Sequence, residues 1–275
     1  MDSRQKEALE KYSKNEEDRL FLAKVLDKAN QADRGYLVYT HFMDPHQRSI
    51  AGKLLRELGC QSFFDGGYPE AERTLGIFVP DYMACQSEEE TLSAIRGRPD
   101  YPLALVQVHY KKNSFAKELT HRDYLGAVMN LGVKRETVGD FLIHEGFAQI
   151  LVLSDMASYL ENNLRQVARV SVEAFAAPLR QLLIPVQKTM TKTATVASLR
   201  LDAVVAEGFG IPRSQAQEYI GSGKVYLEFE ECCTVSKPVE EGQTISLRGM
   251  GRVVLTQAGG SSRKKRIFVT LQKFV

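Results

Sequence analysis

Cysteine is scarce in this chain, and its placement excludes the chemistry cysteine usually brings. Cys60, Cys85, Cys232 and Cys233 are four residues in 275. They are too few and too scattered for a disulfide framework, and no pair has the two-residue gap that tetrahedral zinc sites favour. Reduced, unligated thiols are expected, and no bound metal. Long apolar runs are missing as well: no stretch approaches the roughly 18 to 20 uninterrupted apolar residues of a membrane span. The opening Met1-Asp2-Ser3-Arg4-Gln5-Lys6-Glu7 lacks the apolar segment of a signal peptide. A cytoplasmic protein with no membrane partner is expected.

The usual marks of catalysis are also absent. Ser154-Asp155 and the other serines have no flanking glycines of a nucleophile elbow. His41, Asp44 and His46 share one turn without a fourth ligand, and a turn that caps the next helix accounts for Asp44-Pro45. His109 and His144 fall in strand patterns, where a partly buried, satisfied histidine is the common outcome. Gly221-Ser222-Gly223-Lys224 looks like a phosphate loop, but its first glycine would fall at Glu218, and Val225 replaces the magnesium-binding Ser or Thr. Gly208 and Gly210 lack the third glycine of a dinucleotide fingerprint, because Arg213 occupies its place. No cofactor and no catalytic residue is indicated.

What is present is apolar substance and an uneven distribution of charge. With 44% hydrophobic residues the chain can fill real cores, and its length suits two or three domains. The net charge of +2 divides unequally. Residues 1 to 187 carry 23 Lys+Arg against 26 Asp+Glu, whereas residues 188 to 275 carry 13 against 8, a balance of +5. A small domain with a positive field points towards a polyanion.

The order of elements is α+β in three parts, with boundaries expected at 1 to 72, 73 to 187 and 188 to 275. The first part reads as an α/β domain. It has a helix over the opening 30 residues, a strand at Tyr36 to Thr40, and a helix from Asp44-Pro45 to Gly59 with Ile50, Leu54, Leu55 and Leu58 at helical spacing. A returning strand follows at Gln61 to Asp65. The second part starts from strands at Leu75 to Val79 and Leu103 to Tyr110, separated by an acidic loop from Ser87 to Arg98. A helix at His121 to Leu131, a hairpin turning at Glu145-Gly146, a helix at Ser158 to Val167 and a strand at Val170 to Phe175 complete a ferredoxin-like order, the architecture of RNA-recognition-motif domains. Leu75-Gly76-Ile77-Phe78-Val79 lacks the paired exposed aromatics that stack bases. Pro178, Pro185 and the polar run 187 to 193 mark a linker or connecting strand.

In the third part a short helix from Ser198 to Ala206, with Leu201, Val204 and Val205 on one side, stops at Gly208. Pro212 presets a second helix, Arg213 to Ile220, which turns Ala216, Tyr219 and Ile220 inward. Arg213, Ser214 and Gln217 lie on its other face near the N-terminus, where free N–H groups and the helix dipole favour a phosphate. Arg200-Leu201-Asp202, Arg213-Ser214-x-Ala216, Gly223-Lys224-Val225 and Lys237-Pro238-Val239 followed by Gly242 occur in that order over some fifty residues. Together they resemble the S-four-type, or αL, RNA-binding domain. The resemblance implies RNA across the second helix and adjoining loops, with Arg200, Arg213, Ser214, Gln217, Lys224 and Lys237 as contacts. Where relatives usually have a tight Asn-Gly turn, this chain has Glu228-Phe229-Glu230-Glu231. His121-Arg122-Asp123 is similar to a catalytic stretch of pseudouridine synthases that carry the same module. The intervening leucine is missing, however, and Thr120 reads as a helix cap.

Leu131-Gly132-Val133-Lys134-Arg135-Glu136-Thr137-Val138-Gly139-Asp140, together with Asp44-Pro45 and the tail Arg248-Gly249-Met250-Gly251-Arg252, resembles the YlmH family. That resemblance implies an N-terminal α/β domain, a central recognition-motif-like domain and the C-terminal RNA-binding module. It also implies association with the large ribosomal subunit and rescue of stalled nascent chains, with genes that often lie among cell-division genes. Lys134 and Arg135 follow a helix end and form a candidate phosphate pair, and Arg252 joins the candidates through the tail. Arg263, Lys264, Lys265 and Arg266 form a basic cluster between strand-like segments, a solvated hairpin turn that also suits phosphate contact. The leading reading is a non-enzymatic binder of structured RNA, ribosomal RNA or tRNA on the large subunit. An RNA-modifying enzyme with an unfamiliar active site and a cell-division scaffold stay open as alternatives.

Overall fold

A computed structural model of the chain describes residues 3–110, 118–185, 189–261 and 266–274. It divides into two compact units, Met1–Pro185 and Val186–Val275.

The first unit begins with two helices, α1 (Ser3–Tyr12) and α2 (Glu16–Asp33), where the sequence reads as one. Asn15 divides them: its extended backbone and its side-chain oxygen, accepting from Asp18 N, make it an N-cap in front of three acidic residues. Strand β1 (Val38–Met43), helix α3 (Pro45–Leu58) and strands β2 (Ser62–Asp65) and β3 (Thr74–Phe78) follow. Asp44 and Gln47 form the capping box of α3, so Asp44-Pro45 does the capping its sequence announces.

Strand β3 corrects the expected boundary at 72/73. It pairs with both β1 and β2, in the order β1-β3-β2, and so forms the centre of the first sheet and is not the opening strand of the central domain. All five of its residues are buried, because helices cover one face of this sheet and a second sheet covers the other. The acidic run 87 to 98 is also not a loop. It holds helix α4 (Glu88–Arg96), capped by Ser87 Oγ accepting from Glu90 N at 3.2 Å, with three glutamates in the first turn, where the dipole favours them.

Strand β4 (Leu103–His109), helix α5 (His121–Asn130), the hairpin β5 (Val138–His144) and β6 (Phe147–Leu153), helix α6 (Ser154–Asn163), the short pair β7 (Gln166–Val167) and β8 (Val170–Ser171), and β9 (Glu173–Ala177) complete the unit. Helix α6 starts four residues earlier than expected and ends at Asn163. The second sheet has the order β5-β6-β4-β9, fully antiparallel, which is the ferredoxin-like arrangement with β4 as its first strand. Alternation along β4 and β6 sends Val106, Val108, Ala148, Ile150 and Val152 against α5 and α6. Leu103, Leu105, Leu151 and Leu153 go to the opposite face, where they meet Phe42, Leu75 and Ile77 of the first sheet. Gly139 permits this closeness: a Cβ there would come within 2.6 Å of the Phe42 ring.

The second unit is a six-stranded antiparallel sheet with two helices on it. Strand β10 (Thr189–Val196) runs where the sequence leaves linker or strand open. Helices α7 (Leu201–Phe209) and α8 (Arg213–Gly221), then β11 (Val225–Leu227), β12 (Glu230–Glu231), β13 (Thr244–Leu247), β14 (Gly251–Ser261) and β15 (Ile267–Phe274) give the sheet order β10-β15-β14-β13-β11-β12. Helix α7 passes Gly208 and ends at Gly210, whose φ of 68° supplies the left-handed cap. Gly208 instead admits close packing, since a Cβ would sit 3.0 Å from Val253. Among the described residues no helix is long and apolar enough to cross a membrane.

Candidate nucleic-acid interface

The candidate interface is built around a carboxylate. Asp202, in the first turn of α7, is fully buried. Arg200 Nε donates to its Oδ1 at 3.2 Å, while Arg213 Nε at 2.9 Å and Gln217 Nε2 at 2.8 Å donate to Oδ2. Arg213 and Gln217 are four residues apart and therefore share the face of α8 turned towards α7. Burial alone would push the Asp202 carboxyl up, but the donors Arg213, Gln217 and Arg200 outweigh it and hold the group at about 2. The arginines still keep 41% and 49% of their side chains exposed, so each can hold the carboxylate and face solvent at once. Sequence reasoning names Arg200, Arg213 and Gln217 as contacts but misses Asp202 as the anchor that orients all three.

The other motif pieces assemble through the backbone. Leu201 N donates to Lys237 O and Val239 N donates to Leu199 O, both at 2.8 Å, and Arg200 bridges Pro238. This lays Lys237-Pro238-Val239 beside the start of α7 despite a separation of some 36 residues along the chain. Ser214, Lys224 and Lys237 are exposed. The Lys224 ammonium lies 5.1 Å from the centre of the Tyr219 ring, a cation–π contact at the far end of α8.

The acidic turn is tighter than its sequence implies. Glu228 and Phe229 take φ values of 51° and 65°, the two left-handed positions that Asn-Gly usually fills in a two-residue hairpin. Two contacts offset the strain: Glu228 Oε1 accepts from Thr244 N at 2.5 Å, and the Arg252 guanidinium sits 5.9 Å from the Phe229 ring. Glu228 is thereby turned onto its own sheet.

Several remaining candidates have structural occupations. Arg252 also lies 5.3 Å from the Phe274 ring. Arg266 Nε donates to Thr195 Oγ1 at 3.1 Å and its guanidinium to Thr195 O, which ties β15 to β10. Arg263, Lys264 and Lys265 lie outside the described residues. In the first unit Lys134 is exposed, but Arg135 folds back, with Nη1 donating to Val138 O at 2.6 Å and Gly139 O at 3.2 Å. Burial, reinforced by the neighbouring Arg73, lowers the Arg135 guanidinium to about 10. The expected cationic pair is therefore one outward lysine and one arginine that closes its own turn.

Around that turn Arg73 donates to Val138 O at 3.0 Å, Phe42 O at 3.2 Å and Arg135 O at 3.3 Å. Asp140 accepts from Tyr68 Oη at 2.9 Å, Glu72 N at 2.7 Å and Arg73 N at 3.2 Å, and burial still raises its carboxyl. His41 Nδ1 meets Glu136 at 3.3 Å, His46 Nε2 meets Asp18 at 3.0 Å, and Asp44 caps α3, so the three residues of that turn face different partners. Asp123 accepts from Thr120 N and Oγ1 at 2.8 and 2.7 Å, the capping role expected at His121-Arg122-Asp123.

Comparison with known proteins adds three matches along the chain. Residues 17–82 match the family model "YlmH, N-terminal", 97–181 match "Putative RNA-binding domain in YlmH", and 199–245 match "S4 domain". The chain is similar to "Ribosome-associated protein quality control protein P2" of Bacillus subtilis (strain 168), with 30% identity over 258 residues, 94% of this chain and 95% of that protein. A solved structure described as "Cell division protein ylmH from Streptococcus pneumoniae" has 26% identity and a TM-score of 0.46, covering 62% of this chain and 97% of that one. With a relative this similar aligned along nearly its whole length, and with the two YlmH segments and the S4 segment in their expected order, the chain belongs to the YlmH family.

Proposed function

We propose that this chain is a non-enzymatic RNA-binding protein that associates with ribosomal RNA or tRNA on the large ribosomal subunit and acts in ribosome-associated quality control. The observation that carries the reading is the anchored cationic face of the second unit. Arg200, Arg213 and Gln217 are fixed on buried Asp202, beside exposed Ser214, Lys224 and Lys237. Flexible cations lose side-chain entropy when they bind phosphate; these arginines are already oriented, so less is lost. The +5 balance of residues 188 to 275 supplies the long-range attraction. A relative named as a ribosome-associated quality control protein supports the cellular context. Phosphate contacts would hold affinity, and the shape of the RNA would give specificity.

The test is co-sedimentation of the full chain with purified large ribosomal subunits across a salt series. Association is expected to weaken steeply with salt, and the triple variant Arg213→Glu/Lys224→Glu/Lys237→Glu is expected to abolish it. Unchanged association of that variant would sink the reading. Mass spectrometry of ribosomal RNA and tRNA from cells with and without the gene is expected to give the same set of modifications; a missing modification would instead identify an RNA-modifying enzyme.

A further inference from the structure

The ferredoxin-like half of the first unit offers two surfaces to a ligand, and they differ in what they leave available. The first is the open end of the sheet face turned away from α5 and α6. There His144, Phe147, His109 and Phe175 form one row across β5, β6, β4 and β9. Successive ring centres are 4.6, 5.1 and 5.1 Å apart, with interplanar angles of 15°, 20° and 35°. Neighbouring strands are about 4.8 Å apart, so near-parallel rings at this spacing stand upright and spend their faces on one another. A base stacks on a ring face, and within the row those faces are taken.

The second surface is a groove of about 520 Å³ between α5 and the turn that joins α6 to β7. Its lining includes Arg122, Asn130, Asn163, Arg165 and Gln166, and Arg169 stands on the adjoining β7–β8 turn. Arg122, Arg165 and Arg169 are exposed, and among the described residues none of their guanidinium groups has a hydrogen-bond or ion-pair partner. This separates them from Arg135, Arg200 and Arg213, which all close on the protein itself. The one acidic lining residue, Asp123, is occupied by Thr120. Asn163 Nδ2 donates to Tyr159 O at 2.7 Å and Gln166 Nε2 to Ala168 O at 2.9 Å, which leaves both amide oxygens as acceptors. Gly126 contributes no side chain to the groove, and a Cβ at that position would meet nothing within 4 Å.

We propose that this groove is a second RNA site, which takes the sugar–phosphate backbone. Arg122, Arg165 and Arg169 contact phosphate oxygens, and the amide oxygens of Asn163 and Gln166 accept from ribose 2′-hydroxyls. The site rests on the RNA-binding reading above but lies in the other unit, so the two can fail separately. It reads backbone and not sequence, because the lining offers cations and acceptors to the sugar–phosphate chain and no free ring face to a base.

The experiment measures the affinity of the full chain for purified large ribosomal subunits as a function of salt. Losing three phosphate contacts should make the slope of log K against log [salt] shallower by about 2 to 3. The loss of affinity between 50 and 200 mM salt then shrinks by roughly 15- to 65-fold. That result is expected for Arg122→Gln/Arg165→Gln/Arg169→Gln, and the corresponding triple lysine variant should restore the slope. An unchanged slope in the glutamine variant, while Lys224→Gln/Lys237→Gln does alter it, overturns the groove and leaves the C-terminal interface standing. A lysine variant as shallow as the glutamine one assigns the effect to packing and overturns it too. Phe175→Ala is expected to bind as the wild type does.

Discussion

Two pairs of arginines, one in each unit, find their acceptors in different ways. In the first unit Arg73 and Arg135 give their N–H groups to five backbone carbonyl contacts around the Arg135–Thr137 turn and the start of β5, and Asp140 is satisfied mainly by Tyr68 and backbone N–H groups. In the second unit Arg200 and Arg213 share a single buried carboxylate and remain about half exposed. The first arrangement spends its cations on holding β1, β3 and β5 together. The second uses an anion to orient cations whose outer surface stays available. Basic residues in a signature are therefore no guide to ligand contact until their acceptors are known.

The largest effect that would break this comparison is on stability. Arg73→Ala takes the charged donor from Phe42 O and Arg135 O and leaves Val138 O with Arg135 as its one charged donor, at a cost of about 3 kcal/mol. Urea unfolding of the full chain should show that loss in the transition of the first unit. A change under 1 kcal/mol would mean that water replaces the guanidinium and that the turn does not depend on it. Asp202→Ala should cost less, about 2 kcal/mol, because the freed arginines can turn to solvent. It should nevertheless weaken binding to large subunits more than Arg73→Ala does, since the anchor of Arg200, Arg213 and Gln217 is gone. The reverse order of binding defects would contradict the division of labour between the two clusters.

Acid should separate the units further. The Asp202 carboxyl is held at about 2, below the ordinary 3.8, so its contribution is complete above the unfolded value and is lost as pH falls towards 2. Asp140 is shifted the other way. Its ionised form carries a cost of burial that protonation relieves, so its effect favours folding as pH drops. In the first unit Asp65, lowered by Arg96, Tyr101 and Gly67 against its burial, opposes Asp140. Between pH 4 and 2 the second unit is expected to lose stability faster than the first, a difference that circular dichroism with a tyrosine fluorescence probe can follow. Equal acid sensitivity would show that the Asp202 clamp contributes little. The smallest effect is Arg266→Ala, about 1 kcal/mol, from the loss of its bonds to Thr195 at one end of the β10–β15 pair.

Much of the architecture is legible from local pattern. Asp44-Pro45, Thr120 and the Glu145-Gly146 turn announce helix starts and a hairpin through residue chemistry alone. The motif order from Arg200 to Gly242 marks the C-terminal module by its resemblance to the αL RNA-binding domain. Strand β3 is not assignable this way. A short apolar run buried on both faces has no periodicity to say which sheet it joins, and only its pairing with β1 and β2 decides that. The helix within 87 to 98 was hidden by its charge, which reads as loop until Ser87 is recognised as a cap.

The candidate site divides along the same line. Residue types and spacing by themselves determined a ferredoxin-like element order and a positive C-terminal charge, because these rest on backbone preference and composition, while the αL-type module was legible through its resemblance to a known family. Which cations face outward was decided only by tertiary structure. A guanidinium reaches several ångströms from its backbone, and whether it ends on a carbonyl, a ring, a buried carboxylate or solvent depends on neighbours from distant parts of the chain. Arg135, Arg252 and Arg266 found such neighbours, Arg200 and Arg213 found Asp202, and Arg122 and Arg165 remain open to a ligand.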